Sequence, residues 1–145
     1  MNISTQQKLF HWLPVIIWYL FICLLSSIPG NTLSSVPSII LKLMHIPSLS
    51  KIPLRVYVFW CHRTCHTVEY GVLGALVIRA YSKEKRVTLA TILFLGLLIF
   101  LSGAFDEWHQ SFVPGRTPAL LDAVYDTICG TFGMIAYHLT ALAER

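Results

Sequence analysis

The sequence predicts an all-α membrane protein: one domain over residues 1–145, built as a bundle of four transmembrane helices. Two observations lead to this prediction. Apolar residues make up 55% of the chain and charged residues only 12%, whereas ordinary soluble domains are roughly a quarter charged. The mean hydropathy is also clearly positive. A soluble protein of this length could not bury so much apolar surface, so the composition indicates a membrane protein.

The first apolar segment covers about residues 9–28, which is long enough to cross a bilayer as a helix. No small-residue cleavage pattern follows it, so we expect a retained helix and not a removed signal peptide. Pro14 is expected in its first turn, where a missing N–H does least harm. Trp18 is expected near the membrane interface. The Pro29-Gly30-Asn31 sequence ends the helix.

The stretch that follows the first span is rich in proline and is not a plain loop. Apolar residues from Ile39 to Ile46 are interrupted by Lys42 and His45. This pattern is typical of a short helix lying on the bilayer surface. We therefore predict an interfacial helix in the first loop.

Three more spans are predicted, at about residues 56–81, 87–110 and 118–142. The last two are joined by a tight connection with Pro114-Gly115 as its turn. Thr117 is a suitable N-cap for the fourth helix, and Pro118 suits its first helical position.

The 11 basic residues outnumber the 7 acidic ones, but they are scattered through the loops. This distribution indicates membrane topology, and we expect no nucleic-acid partner. The connection at residues 81–86 is densely basic and is therefore predicted to be cytoplasmic. Both termini then lie on the cytoplasmic side of a multi-pass protein.

Polar residues recur at helical spacing on three of the predicted spans, always near the end opposite this basic connection. They are His62, His66, Glu69 and Tyr70 on the second helix, Asp106, His109 and Gln110 on the third, and Asp122 and Asp126 on the fourth. Ionisable groups within membrane spans are costly and usually face the bundle interior or a watery cavity. The pattern therefore predicts one polar pocket at the extracytoplasmic end.

Some of these charges also have simpler interpretations. Glu107 stands near a span end, where we expect it to be solvated. Asp122 lies at the start of the fourth helix, where it could serve only to stabilise the helix dipole. The four cysteines, Cys23, Cys61, Cys65 and Cys129, are expected to be small apolar residues of the helices.

Two motifs carry a family resemblance. Residues 106–116 read DEWHQSFVPGR and are followed by Asp122, Gly130 and Gly133, while residues 62–70 read HRTCHTVEY. The first resembles the D-E-x-x-Q-x-F-x-P-x-R motif of the VanZ-like family. The second is similar to the D-K-x-x-H-F-x-x-Y pattern at the start of that family's second helix.

This chain departs from the family pattern at two positions. His62 stands where the family usually has Asp, and Asp126 stands where Asn is common. The added acid at Asp126 would offset the charge change at His62. The resemblance implies a bacterial or archaeal plasma-membrane protein with a connection to the cell envelope and to resistance against teicoplanin.

The leading hypothesis is that the pocket binds or processes a lipid-linked cell-envelope component, so that its partners are membrane lipids or lipid-linked glycan precursors. Arg116 would hold a phosphate or carboxylate. The candidate catalytic residues are His66 and His109 as acid and base, with Asp106 and Asp122 to orient them. The candidate ligand-binding residues are Arg116, Gln110, Glu69, Arg63 and Asp126. The residues leave open whether chemistry follows binding, and they indicate no particular cofactor.

Other hypotheses fit the same residues. The charged groups could form a buried ion-pair network in a non-enzymatic structural or partner protein. A proton or ion pathway is less well supported, because the cytoplasmic half of every span is nearly apolar. A transition-metal site from His62, His66, His109 and a carboxylate is conceivable, but no HExxH motif is present, and we predict no metal.

Overall fold

A computed structural model describes residues 5–30, 32 and 53–144. This part of the chain contains four helices and no strand, which confirms the all-α prediction. The helices are α1 (Thr5–Ser26), α2 (Leu54–Ser82), α3 (Leu89–Gln110) and α4 (Leu120–Ala143). The predicted interfacial helix lies outside the described residues.

Two of the four helices, at Gln6–Ser26 and Leu89–Gln110, are long and apolar enough to cross a membrane. They belong to α1 and α3. Helices α2 and α4 are long enough but not apolar enough to meet this criterion, because they carry charged and polar side chains. Length and composition thus support membrane insertion for two of the four predicted spans.

The most extensive helix packing joins α2 to α4, and glycines make it possible. A Cβ atom added to Gly133 would lie 1.9 Å from the carbonyl oxygen of Gly71. A Cβ added to Gly74 would lie 1.9 Å from the carbonyl oxygen of Gly130. The two backbones therefore touch at residues without side chains, as in other close helix crossings in membranes.

Helix α1 packs mainly against α2, and two tryptophans fix it there. The Trp18 indole donates a hydrogen bond to the Glu69 carbonyl oxygen over 2.8 Å. The Trp12 indole donates to Glu84 Oε1, also over 2.8 Å. Trp18 thus makes a helix–helix contact in the middle of α1, and its position relative to the membrane interface stays a prediction.

Helix α1 also begins earlier than the hydropathy pattern predicts. It starts at Thr5, so Pro14 lies in the helix interior and not in the first turn as expected. The reason is that helix formation does not require apolar residues. The polar residues from Gln6 to Lys8 are good helix formers and extend the helix beyond its apolar segment.

Helix α4 starts later than predicted, at Leu120 with Ala119 as N-cap. The prediction of Thr117 as N-cap and Pro118 as first helical residue is therefore wrong. The capping group comes instead from another helix, since the Ala119 N–H donates to Glu107 Oε2 over 2.7 Å. A tertiary contact of this kind leaves no local signal in the sequence.

Candidate functional site

The C-terminal ends of α1 and α3 meet the N-terminal ends of α2 and α4 at one end of the bundle, which we call the polar end. Seven buried polar side chains lie on the helix segments that form it: Ser26, His66, Asp106, Glu107, Gln110, Asp122 and Asp126. Toward the opposite end the buried residues are apolar, with Val77, Ile78, Leu95 and Met134 among them, and Thr91 is the exception in the described part of the chain.

His66 and Asp126 form a deeply buried polar pair. Nδ1 of His66 lies 2.9 Å from Oδ1 of Asp126. The His62 ring is 4.4 Å from the His66 ring, centroid to centroid, and the Tyr70 ring stacks on its other side at 6.1 Å. One imidazole nitrogen is therefore fixed by a carboxylate and the ring plane by its neighbours.

A second pair, Arg63 and Asp122, also joins α2 to α4 and lies nearer the surface. Arg63 Nη2 donates to Asp122 Oδ1 over 2.7 Å. The guanidinium carbon also lies 5.4 Å from the centre of the Phe59 ring and 5.0 Å from that of Tyr125. Cation–π contacts of this length support the salt bridge. Asp122 therefore does more than stabilise the helix dipole.

Arg116 connects the turn before α4 to the end of α1. Its Nε donates to the Ile28 carbonyl oxygen at 3.2 Å and its Nη2 to the Leu25 carbonyl oxygen at 3.3 Å. Its Nη1 lies 3.4 Å from Nε2 of His62. Because a guanidinium can only donate, this contact requires His62 Nε2 to accept and so to carry no proton.

The turn itself docks on the residues that follow α1. The Gly30 N–H donates to the Pro114 carbonyl oxygen over 3.0 Å. A Cβ on Gly30 would lie 1.9 Å from the Gly115 carbonyl oxygen, and Gly115 itself has φ 74°, which glycine adopts most readily. These glycines allow the turn to place Arg116 over α1.

Asp106, Glu107 and Gln110 bring the end of α3 into the cluster. Gln110 Nε2 donates to Asp106 Oδ2 over 2.8 Å and to Ser26 Oγ over 3.4 Å. Glu107 is buried against the start of α4 through its bond to Ala119. The expectation that Glu107 is solvated is therefore wrong, because the turn after α3 folds back over it.

Four buried polar atoms of this cluster have no hydrogen-bond partner within the described part of the chain: Asp106 Oδ1, Glu107 Oε1, Asp126 Oδ2 and the Tyr70 hydroxyl. Buried polar groups are normally paired. Three of these atoms are carboxylate oxygens, which accept hydrogen bonds from water, from a protonated group or from a ligand. The polar end thus has unused hydrogen-bonding capacity in its interior.

Comparison with known proteins identifies the family. The family model described as VanZ/LLP1 matches residues 10–141, nearly the whole chain. The protein belongs to the VanZ/LLP1 family. This confirms the resemblance found in the two motifs. A search of curated proteins and a search of solved structures each found no match.

In this VanZ/LLP1 protein, the polar end collects most of the predicted site residues but not all of them. It joins His66 to Asp126, Arg63 to Asp122, and Asp106 to Gln110. His109 and Glu69 are only partly buried, and no hydrogen bond joins either side chain to another predicted site residue in the described structure. No hydrogen bond joins His66 to His109 in the described structure, and their roles as acid and base stay a prediction.

Two further residues take part in the site of this family member although neither was among the candidate catalytic or ligand-binding residues. Glu107 caps α4, and His62 contacts Arg116. A signal for Glu107 was present, since it precedes Gln110 by three residues and so shares its helix face. Among the described residues, no three His, Cys, Asp or Glu side chains are grouped so that they could hold a metal ion.

Proposed function

We propose that this protein crosses the membrane four times and that its polar end binds the anionic head group of a lipid-linked cell-envelope component. The observation that carries the proposal is the position of two partly exposed guanidinium groups, Arg63 and Arg116, at the polar end of a largely apolar bundle. A guanidinium has five N–H donors. Arg63 uses one on Asp122, so it keeps donors for the oxygens of a phosphate or carboxylate.

The exposed surface supports four spans. Large apolar side chains point outward along the whole of α4, at spacings of three and four residues: Leu121, Val124, Ile128, Phe132, Ile135, Leu139 and Leu142. The two acidic residues of α4, Asp122 and Asp126, are buried, so its average composition understates how apolar its outer face is. Helix α2 contacts the other three helices and has its most extensive packing with α4, which lets it carry polar groups within a bilayer.

Exposed aromatic residues support a membrane interface at the polar end. Phe59 and Trp60 lie near the start of α2, and Phe105, Trp108 and Phe112 lie near the end of α3. Aromatic side chains are enriched at this depth. The basic connection at residues 81–86 lies at the opposite end, which favours the cytoplasm there. We therefore propose that the site lies on the extracytoplasmic side of the plasma membrane.

The site also has one arrangement suited to acid–base chemistry. A histidine held at Nδ1 by a buried carboxylate is oriented to exchange a proton through Nε2. His66 and Asp126 have this relationship. Binding is the function we propose, and this pair is the group we assign to proton transfer in any processing of the bound lipid. The association of the VanZ family with teicoplanin resistance agrees with a role in the cell envelope.

A second candidate function is that of a non-enzymatic structural or partner protein. The observation in its favour is that both charged pairs, Arg63–Asp122 and His66–Asp126, join the same two helices. Such links hold a bundle together without any ligand. This candidate predicts that removing one charge chiefly lowers stability, and that neutral replacement of both partners restores it.

The test is native mass spectrometry with lipid analysis on protein extracted in mild detergent. We compare the wild type with Arg63→Gln and Arg116→Ala, and use Arg79→Ala as the control because Arg79 is exposed at the other end of α2. An anionic lipid held by the wild type and the control, but lost from both site variants while they remain folded, supports the proposal. Folded variants that keep the same lipid as the wild type contradict it.

A further inference from the structure

An apolar cleft runs between α1, α2 and α3. Its volume is about 260 Å³, and it is partly open to the outside of the bundle. Its lining includes Trp12, Tyr19 and Leu20 of α1, Leu73 of α2, and Ile99 and Ser102 of α3. Leu73 and Ile99 are only 3% and 2% exposed, so they form the floor of the cleft rather than part of the outer surface.

One end of the cleft lies away from the polar end and the other approaches it. At the end away from the polar end, Trp12 is hydrogen-bonded to Glu84 beyond the end of α2. At the other end, Ser102 precedes Asp106 on α3 by four residues, or about 6 Å along the helix. The apolar lining therefore leads from the half of the bundle near residue 84 up to the buried carboxylates.

The same helix connects this cleft to the proposed head-group site. Arg116 donates to the carbonyl oxygens of Leu25 and Ile28, at and just beyond the end of α1. Leu20, which lines the cleft, precedes Leu25 by five residues, or about 7.5 Å along a helix. A head group bound at Arg116 would therefore lie about one and a half turns of α1 from the cleft-lining residue Leu20, so that an attached hydrocarbon chain can extend into the cleft.

We propose that the cleft holds one hydrocarbon chain of the lipid whose anionic head group binds at Arg116. This inference rests on the proposed function and specifies its ligand as a single-chain or isoprenoid-type anionic amphiphile bound by both parts. The size of the cleft favours a chain over a protein segment. One turn of a helix, about 10 Å wide with its side chains and 5.4 Å long, occupies roughly 420 Å³, which exceeds the cleft volume of about 260 Å³.

The location of the chain is tested by photo-crosslinking. The full-length protein is placed in neutral phosphatidylcholine nanodiscs with dodecyl phosphate that carries a diazirine at the chain end, and the adducts are mapped by mass spectrometry. We expect adducts on the cleft floor, at Leu73 and Ile99, which lipids surrounding the protein do not reach. Adducts confined to exposed residues such as Leu97 and Leu101 would overturn the proposal.

A pair of neighbouring substitutions gives the control. Ser102→Phe fills the cleft, whereas Leu101→Phe places the same ring on the exposed face of the same helix. We expect Ser102→Phe to reduce floor adducts by about tenfold, equivalent to about 1.4 kcal/mol, and Leu101→Phe to leave them unchanged. Equal adduct yields in both variants would show that the chain does not enter the cleft.

Two further probes separate this proposal from the proposed function. Butyl phosphate has the head group with a short chain, and a neutral dodecyl glucoside diazirine has the chain without the charge. Suppose that butyl phosphate competes with dodecyl phosphate for binding and that this competition depends on Arg116, but that dodecyl phosphate gives no adducts on the cleft floor. This result overturns the cleft proposal and leaves the head-group site in place. Equal floor labelling by the neutral probe also overturns the cleft proposal. Binding of both phosphates that is unchanged in Arg116→Ala contradicts the head-group site itself.

Discussion

Nδ1 of His66 lies 2.9 Å from Oδ1 of Asp126, and the two side chains are only 6% and 0% exposed. The pair joins α2 to α4 at the centre of the polar end. Sequence comparison with the family pattern suggested that Asp126 offsets the change at His62. In the structure Asp126 instead pairs with His66, while His62 contacts Arg116. The two unusual residues of this chain therefore have separate partners.

The first prediction concerns this buried pair. Asp126→Leu leaves the His66 imidazole buried without its acceptor, so we expect it to lower the free energy of unfolding by about 3–5 kcal/mol. Asp126→Asn keeps an acceptor oxygen and should lower it less. The double variant His66→Leu/Asp126→Leu should lose less than the sum of the two single variants. Unfolding in detergent measures the stability of Asp126→Leu, Asp126→Asn, His66→Leu and the double variant. Strictly additive losses of unfolding free energy in the double variant would contradict a direct interaction.

The second prediction concerns the glycine contact between α2 and α4. Gly133→Ala places a Cβ atom 1.9 Å from the Gly71 carbonyl oxygen. Because backbone must move to accept it, we expect a loss of about 1–3 kcal/mol or more. Gly96→Ala is the control, since the nearest atom to its Cβ is a Thr131 side-chain oxygen at 3.7 Å. Thermal unfolding should separate the two, and equal stability would rule out the close crossing.

The third prediction concerns the cap of α4. Glu107→Ala removes the acceptor of the Ala119 N–H, so we expect a loss of about 1–2 kcal/mol, as for other N-caps. Glu107→Gln retains a side-chain oxygen and should keep part of this stability. The exposed Glu144 provides a control, since Glu144→Ala should have little effect on denaturant unfolding. A Glu107→Ala protein as stable as the control would show that the cap contributes nothing.

The fourth prediction concerns topology. In a background where the native cysteines are replaced by alanine, Thr117→Cys lies in the turn at the polar end and Lys85→Cys in the basic connection at the other end. Both positions are exposed. A membrane-impermeant maleimide applied to intact cells should label Thr117→Cys alone, and should label Lys85→Cys only after the cells are permeabilised. The reverse pattern would invert the orientation, and labelling of both in intact cells would contradict four spans.

The sequence allowed most of the helix content and of the site to be predicted, because hydropathy and helical spacing are local properties. The predicted segments at 56–81 and 87–110 differ from α2 and α3 by at most two residues at each end. Spacing on a helix face also predicted that His66, Asp106, Asp122 and Asp126 lie at the same end of the bundle, where the structure has them buried.

The sequence by itself determined that the protein is all-α, which segments are helical and at which end of the bundle the polar residues lie. The tertiary structure decided the partners. The N-terminus of α4 is capped by Glu107 and not by Thr117. Asp126 pairs with His66, and Arg116 donates to the carbonyl oxygen of Ile28, just beyond the end of α1. The physical reason is that periodicity specifies which face of a helix is buried. The rotation and depth at which two helices meet depend on close packing at the crossing of Gly71 and Gly133, and only this packing determines which polar atoms come within hydrogen-bond distance.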